Sequence, residues 1–281
     1  MISKVILITG CSSGIGFDAA FALKKRGHRV IASCRKMDDV QKLLNLGIEA
    51  IQLDVNDSNS IQNAFTQLLL NTSNRLDVLV NNAGYGQAGA LEDISREVLR
   101  KQFETNVFGL LELTNRAIPV MRKQGQGRII NISSILGFIS MPFRGAYNAS
   151  KYAVEGLSDT LRLELKSSNI DVITIEPGPI ESKFREHAVD NSLQNLDRSK
   201  SYFHKQYETM LKSFKKAKSN SMFTKNPEVV VNKLIHAIES NKPKAKYPVT
   251  LPTHLFGILK RLLSTKLLDK IILAISRKEL S

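Results

Sequence analysis

The chain has 281 residues, 42% hydrophobic and 23% charged, which excludes wholesale disorder and is enough for one large core. Its two cysteines, Cys11 and Cys34, cannot staple a disulfide scaffold, and no apolar run approaches the ~18 residues of a membrane-spanning helix. The formal net charge of +14 raises nucleic acid or an anionic membrane as partners. No aromatic–basic ladder, zinc-finger spacing or RNA-recognition signature accompanies that charge, so neither nucleic acid nor a metal is expected.

The apolar run in residues 1–10 is too short for a signal peptide and continues into a glycine loop. It is expected to be the first strand of a cytoplasmic protein. Further strands are predicted at Arg29–Ser33, Ala50–Val55, Asp77–Asn81, Arg128–Ser133, Asp171–Glu176 and Lys246–Val249. Most are rich in Val and Ile on both faces, as buried parallel strands are. Helical patterns fall at Gly14–Arg26, Asp38–Leu46, Asp57–Leu70, Arg96–Arg122, Ala146–Ser167 and Pro227–Ser240. This alternation predicts an α/β fold with a doubly wound parallel sheet and right-handed crossovers. It breaks after Pro177-Gly178, where about fifty polar, basic residues intervene.

Strand one runs into Thr9-Gly10-Cys11-Ser12-Ser13-Gly14-Ile15-Gly16. Glycines let the backbone turn tightly and approach a ligand, and the following helix offers unpaired N–H groups to a pyrophosphate. The same residues satisfy G-x-S-x-G, the nucleophile elbow of α/β-hydrolases, but there the serine follows a central strand with several others before it. Only one strand precedes Ser12. The tip of strand two, Ser33-Cys34-Arg35-Lys36, lacks the carboxylate that usually binds the ribose of NAD. Arg35 can clamp a 2′-phosphate, which favours NADP(H). Asp54, ending strand three, can accept from an adenine amino group or serve as a turn or cap.

Among six tyrosines only Tyr147 has a lysine, Lys151, four residues on. On a helix both lie on one face. A phenol titrates near ~10 in water, and a neighbouring ammonium is expected to lower that value. Such a tyrosine can give a proton to a carbonyl oxygen or take one from an alcohol. Ser133 and Ser134 end strand five, where ligands bind in open α/β sheets. Asn106 lies mid-helix, where an unpartnered amide is costly and hints at a water or proton relay. Asn81-Asn82-Ala83-Gly84 closes strand four at another edge of the same cleft.

These pieces resemble the short-chain dehydrogenase/reductase family: TGCSSGIG at 9–16, NNAG at 81–84, Asn106, Ser134, Tyr147, Lys151, Pro177-Gly178 and Ser182. They stand in the family's order and cover about residues 1–185. CSSGIG, Cys34-Arg35 and GAYNASKYAVEGLSDTLRLEL are similar to the 17β-hydroxysteroid and retinol dehydrogenase branch and to related bacterial oxidoreductases. The resemblance implies a seven-stranded Rossmann fold in order 3-2-1-4-5-6-7, forming one domain over 1–281, and an oxidoreductase interconverting a carbonyl and an alcohol. By that resemblance Tyr147 is the acid/base, Ser134 binds the substrate oxygen, Lys151 tunes the tyrosine and holds the nicotinamide ribose, and Asn106 anchors a water. The 13-residue gap to Tyr147 selects Ser134 over Ser133. The resemblance also places NADP(H) against Gly10, Ser12, Ser13, Gly14, Ile15, Gly16, Arg35, Asp54 and Val55. Further contacts fall on Asn81, Ala83, Gly84, Tyr147, Lys151, Pro177, Gly178, Ile180 and Ser182, the last replacing a common threonine. A dinucleotide-binding sensor that keeps the fold without the chemistry would have no need of the Tyr-Lys acid.

The family's substrate loop corresponds to residues 183–226. Phe203, Tyr207, Met210, Leu211 and Phe214 lie there at helical spacing, with Phe223 beyond. They form a lid lining a small apolar substrate or a stripe packed on the body. The tail, 250–281, carries Leu267, Leu268, Ile271, Ile272 and Ile275 as one helical stripe with Lys266, Lys270, Arg277 and Lys278 around it. It is expected to dock on its own domain, to join a partner subunit as a homo-oligomer, or to lie on an anionic membrane, in that order; a membrane-surface reductase of lipid-derived carbonyls is the corresponding alternative function.

Overall fold

Val5 and Leu7 point to one side of the first strand and Ile6 and Ile8 to the other, and all four are buried. A strand apolar on both faces needs cover on both, and the chain supplies helices alternately to each side. In the computed structural model, which describes residues 2–181, 184–216 and 224–280, seven parallel strands form one sheet in the order β3-β2-β1-β4-β5-β6-β7. These are β1 Val5–Ile8, β2 Arg29–Cys34, β3 Glu49–Gln52, β4 Val78–Asn81, β5 Gly127–Ile132, β6 Ile170–Glu176 and β7 Lys246–Pro248.

One face is covered by α1 (Gly14–Lys25), α2 (Met37–Asn45) and α9 (Glu228–Glu239), whose Leu23, Leu43 and Leu234 meet Ile6 and Ile8. The other is covered by α3 (Ser58–Asn71), α5 (Gly109–Gln124) and α6 (Gly145–Glu164), whose Leu68, Leu113 and Leu161 meet Val5 and Leu7. Burying a residue of this size contributes roughly 1.5–3 kcal/mol. The edge strand β3 departs from the two-faced pattern: Ile51 is buried, while Glu49 and Gln52 face solvent. Glu49 pairs with Arg29 of the neighbouring strand at 2.8 Å.

The predicted single helix over Arg96–Arg122 is interrupted. α4 (Arg96–Phe103) passes through a π turn, Glu104–Phe108, into α5. Such a turn is uncommon and marks functional sites in many helices. Gly109 follows it because a side chain there would overlap the Val55 carbonyl oxygen. The polar segment after Pro177 contains two helices, α7 (Phe184–Asn195) and α8 (His204–Lys216), and the tail two more, α10 (Leu251–Leu262) and α11 (Thr265–Leu280). α11 packs against α8. No helix among the described residues is long and apolar enough to cross a membrane.

Candidate active site

The carboxyl ends of β1, β4, β5 and β6 meet at one rim of the sheet, where switch-point clefts of open α/β sheets lie. Gly10 and Gly14 leave β1 with φ of +70° and +61°, which only glycine adopts cheaply. A Cβ on Gly10 would lie 2.8 Å from Ala83 Cα, and one on Gly16 would lie 2.5 Å from the Asn82 amide. Ser12 and Ser13 are exposed at the start of α1, and Ser13, its N-cap, makes no side-chain capping bond. The first N–H groups of α1 are therefore left for an anion, as a pyrophosphate requires. Ile15 is partly buried beside them.

Asn82, which sequence reasoning did not place in the site, holds this loop. Its amide donates to the carbonyls of Thr9 at 2.8 Å and Gly10 at 3.0 Å. The Thr9 hydroxyl accepts in return from the N–H groups of Asn82 and Ala83. Strand alternation was the available signal, since Asn81 and Asn82 must face opposite ways. The Asn81 side chain is buried and donates to Thr114 Oγ1 and Asn131 Oδ1, both at 2.9 Å. Gly84 leaves room for Asn106, whose Oδ1 would lie 3.1 Å from a Cβ there.

At the other side of the cradle, Arg35 is exposed directly after β2, and Gln52 donates to its carbonyl at 3.1 Å. The Asp39 carboxylate lies near enough to the strand tip to act on Cys34. Burial pushes the Cys34 thiol up to about 11, with the Asp39 carboxylate adding to the shift. Lys42 pairs with Asp39 at 3.2 Å. Asp54 uses one carboxylate oxygen to accept from the Asn56 N–H at 3.0 Å, a turn-closing role, and Val55 is buried beneath Gly109.

Tyr147 and Lys151 occupy the first two turns of α6. The Ser134 hydroxyl lies beside the Tyr147 phenol, near enough to favour its ionised form. Ser134 also caps the Ile135–Gly137 turn by accepting from the Leu136 N–H at 3.1 Å. Ser133 lies apart, its hydroxyl buried against Gly137 with no hydrogen-bond partner among the described residues. Lys151 Nζ donates to the Ile132 carbonyl at 2.7 Å and sits 5.8 Å from the centre of the Tyr147 ring. Burial pushes the Lys151 ammonium down to about 8, against the pull of Glu155. Burial likewise pushes Tyr147 up to about 12, against the opposing influence of the nearby Ser134 hydroxyl. The expected lowering of the phenol by Lys151 is thus outweighed: the ammonium is directed to a backbone carbonyl, and both groups are desolvated.

Asn106 differs from expectation in its partners. Its amide donates to the Tyr85 carbonyl and the Ser150 hydroxyl, each at 3.0 Å, and accepts from the Tyr85 N–H at 3.1 Å. Ser150 passes the link on by donating to the Tyr147 carbonyl at 2.8 Å. The side chain therefore has protein partners and ties the loop after β4 to α6. Beyond β6, the Pro177 carbonyl accepts from the Ile135 N–H at 2.8 Å. Gly178 packs on Thr250 and Thr253 with no space for a side chain, and Ile180 is buried. Ser182 lies outside the described residues, as do Phe223 and the side chains of Leu211 and Phe214.

The aromatic stripe of α8 turns inward. Phe203, Tyr207 and Met210 join Ala88, Ala90 and Phe143 in a small core of their own. The Tyr207 hydroxyl donates to Asp93 at 2.8 Å and accepts from the Ala90 N–H at 2.7 Å. The residue over Tyr147 is instead Phe184, the first of α7, with ring centroids 5.2 Å apart. It lies close enough to Gly86 that a Cβ there would be 2.9 Å from its ring. Being the first aromatic after Pro177-Gly178 was its only mark in the sequence.

Residues 4–192 match the family model described as short chain dehydrogenase. The chain is 43% identical to the uncharacterized oxidoreductase YbbO of Escherichia coli K12 over 272 residues, covering 97% of this chain and 95% of that one. It is 32% identical to human 17-beta-hydroxysteroid dehydrogenase type 1, covering 89% and 78%. Among solved structures, the closed form of serine dehydrogenase complexed with NADP+ superimposes with a TM-score of 0.76 at 25% identity, covering 89% and 95%. With its sheet order, glycine cradle and Ser134–Tyr147–Lys151 cluster, the chain belongs to the short-chain dehydrogenase family.

Proposed function

We propose that this protein is an NADP(H)-dependent oxidoreductase that interconverts an apolar aldehyde or ketone and its alcohol, with Tyr147 as the proton donor and acceptor. The observation that carries this reading is the Ser134 hydroxyl beside the Tyr147 phenol at the cleft rim, one helical turn from Lys151. A bound nicotinamide dinucleotide supplies or accepts the hydride. The cradle of Gly10, Gly14 and Gly16, with the open start of α1, suits its pyrophosphate. Arg35, together with Lys36, suits a 2′-phosphate, and Lys42 offsets the nearby Asp39. The similarity to an NADP+ complex agrees with this choice.

A phenol held near 12 is protonated at neutral pH and is ready to protonate a carbonyl oxygen. Ser134 holds that oxygen beside it. The positive charge on Lys151 favours the phenolate left behind. Phe184 covers the tyrosine with an aromatic ring, which excludes water and favours an apolar group beside the reacting carbon. The apolar substrate named in the similarity to 17-beta-hydroxysteroid dehydrogenase supports the same class.

The test is NADPH consumption by the purified protein with a homologous series of aldehydes, ketosteroids, retinal and long-chain ketones. Consumption that rises with apolar size is the expected result. No consumption with any of them, while NADPH still binds, would leave a dinucleotide-binding protein without this chemistry.

A further inference from the structure

α10 is amphipathic with its apolar side outward. Thr253 is buried against Gly178, and Lys260 donates to the Phe138 carbonyl at 2.6 Å, so these residues mark the face turned to the body. On the opposite face Leu251, Leu255, Ile258 and Leu262 are 49–76% exposed. At about 100° per residue these four fall within an arc of about 60° along the whole helix. A row of four leucine-sized side chains pointing at water is unusual for a helix that is otherwise docked.

The next helix also leaves apolar side chains exposed. In α11 the tail stripe is split: Ile272 is buried and Leu268 and Ile271 are half-buried, whereas Leu267 and Ile275 remain 46% exposed. The same two helices carry exposed cations at Arg261, Lys266 and Lys270, with His254 beside the leucine row. From Leu251 to the end of the chain there are six basic residues and two acidic ones.

We infer that this α10–α11 face is a docking surface for an anionic lipid bilayer, on which the leucine row enters the headgroup boundary and the cations meet the lipid charge. The charge decides between occupants. A second copy would set the two cationic rims against each other in a chain of net charge +14, whereas an anionic membrane supplies the opposite sign. Length decides the mode. Twelve residues of α10 extend about 18 Å, too short to span the hydrocarbon core, so the helix lies in the plane of the surface.

The inference goes beyond the proposed reaction and does not depend on it. It bears on substrate access, because α10 rests on the Ile135–Gly137 turn that Ser134 caps, and α11 packs on α8.

The experiment is co-sedimentation of the full chain with phosphatidylcholine vesicles, with and without about one third phosphatidylglycerol. It compares the unmodified protein with Leu255→Asp/Ile258→Asp and with Lys266→Glu/Lys270→Glu, with circular dichroism and melting to establish that each is folded. The unmodified protein is expected to pellet with the anionic vesicles, about tenfold or more better than with neutral ones, and less so as salt is raised. Each folded double variant should lose about tenfold of that binding. An unmodified protein left in the supernatant, or folded variants that bind undiminished, would overturn the assignment. So would a dimer in sedimentation velocity that Leu255→Asp/Ile258→Asp converts to monomer, because a second copy would then own the face.

Discussion

The ring of Phe184 lies 5.2 Å from that of Tyr147, tilted by 59°, and joins the first residue of the α7 segment to the proposed proton donor. Phe184→Ala would remove this cover and leave the Tyr147 hydroxyl wetter. With an apolar aldehyde, KM is expected to rise about tenfold or more, since roughly 1.5–3 kcal/mol of apolar contact is lost. A small polar aldehyde should be affected far less. Steady-state kinetics with both substrates measures the split; an equal effect on the two would mean that Phe184 does not face the substrate.

Removing the Tyr147 hydroxyl as Phe retains the ring, so the contact with Phe184 and the fold should persist. Turnover should fall by about 10²–10⁴-fold, while NADPH affinity, read by fluorescence titration, hardly changes. Lys151→Met should weaken NADPH binding as well as turnover. In the unmodified protein the ammonium, pushed down to about 8, loses its charge as pH rises through that value. NADPH affinity should therefore decline above about pH 8, and that limb should vanish in Lys151→Met. A folded Tyr147→Phe protein that kept most of its activity would identify a different acid.

Arg35→Ala tests the cofactor preference. If the guanidinium clamps a 2′-phosphate, the substitution should remove about 1.5–3 kcal/mol of NADPH binding and leave NADH nearly unaffected. Equal affinities in the unmodified protein would show that the arginine is only an exposed loop residue. Lys42→Ala gives a second reading. Without its partner Asp39 should repel the phosphate, and NADPH binding should weaken in the same direction.

Behind the site, Glu176 at the end of β6 is buried near Glu155 and Asp159, with Lys246 as the compensating cation. Burial, with the Glu155 charge adding to it, pushes the carboxyl up to about 7. The folded state then holds a proton that the unfolded state has already released above about pH 4.5. This contribution to stability is complete below about 4.5 and is lost as pH rises through about 7. Between pH 5 and 8 the Tm should drop by a few degrees, on the order of 2–4 °C per kcal/mol. Glu176→Gln should flatten the slope. A slope unchanged in that variant would assign the dependence to another group.

Whereas the order of the strands in the sheet was implied only by the family resemblance, the alternation of strands and helices, the glycine cradle and the Tyr147–Lys151 pair were legible in the chain because each follows from local rules. These are Val and Ile on both faces of a strand, glycine at a positive φ, and two side chains one helical turn apart. Ser134 was separable from Ser133 only by a spacing, and the structure gives the reason: one hydroxyl reaches Tyr147 while the other faces Gly137. What no local rule could supply was where side chains end after packing. The amide of Asn106 meets Tyr85 and Ser150, residues 21 and 44 positions away. The Asn81 amide goes to Thr114 and Asn131, leaving the loop to Asn82. Tyr207 reads in sequence either as a lid aromatic or as part of a stripe packed on the body, and it is buried because Asp93 and Ala90 offer its hydroxyl partners across 114 and 117 positions. The π turn at Glu104–Phe108 has no signature in composition or period; it coincides with the packing of Gly109 on the Val55 carbonyl and of Asn106 against Tyr85. Helical period alone marked the tail stripe of α11, but only the docking of α11 on α8 and of α10 on the body decided which apolar rows are buried and which row, on α10, is left outside.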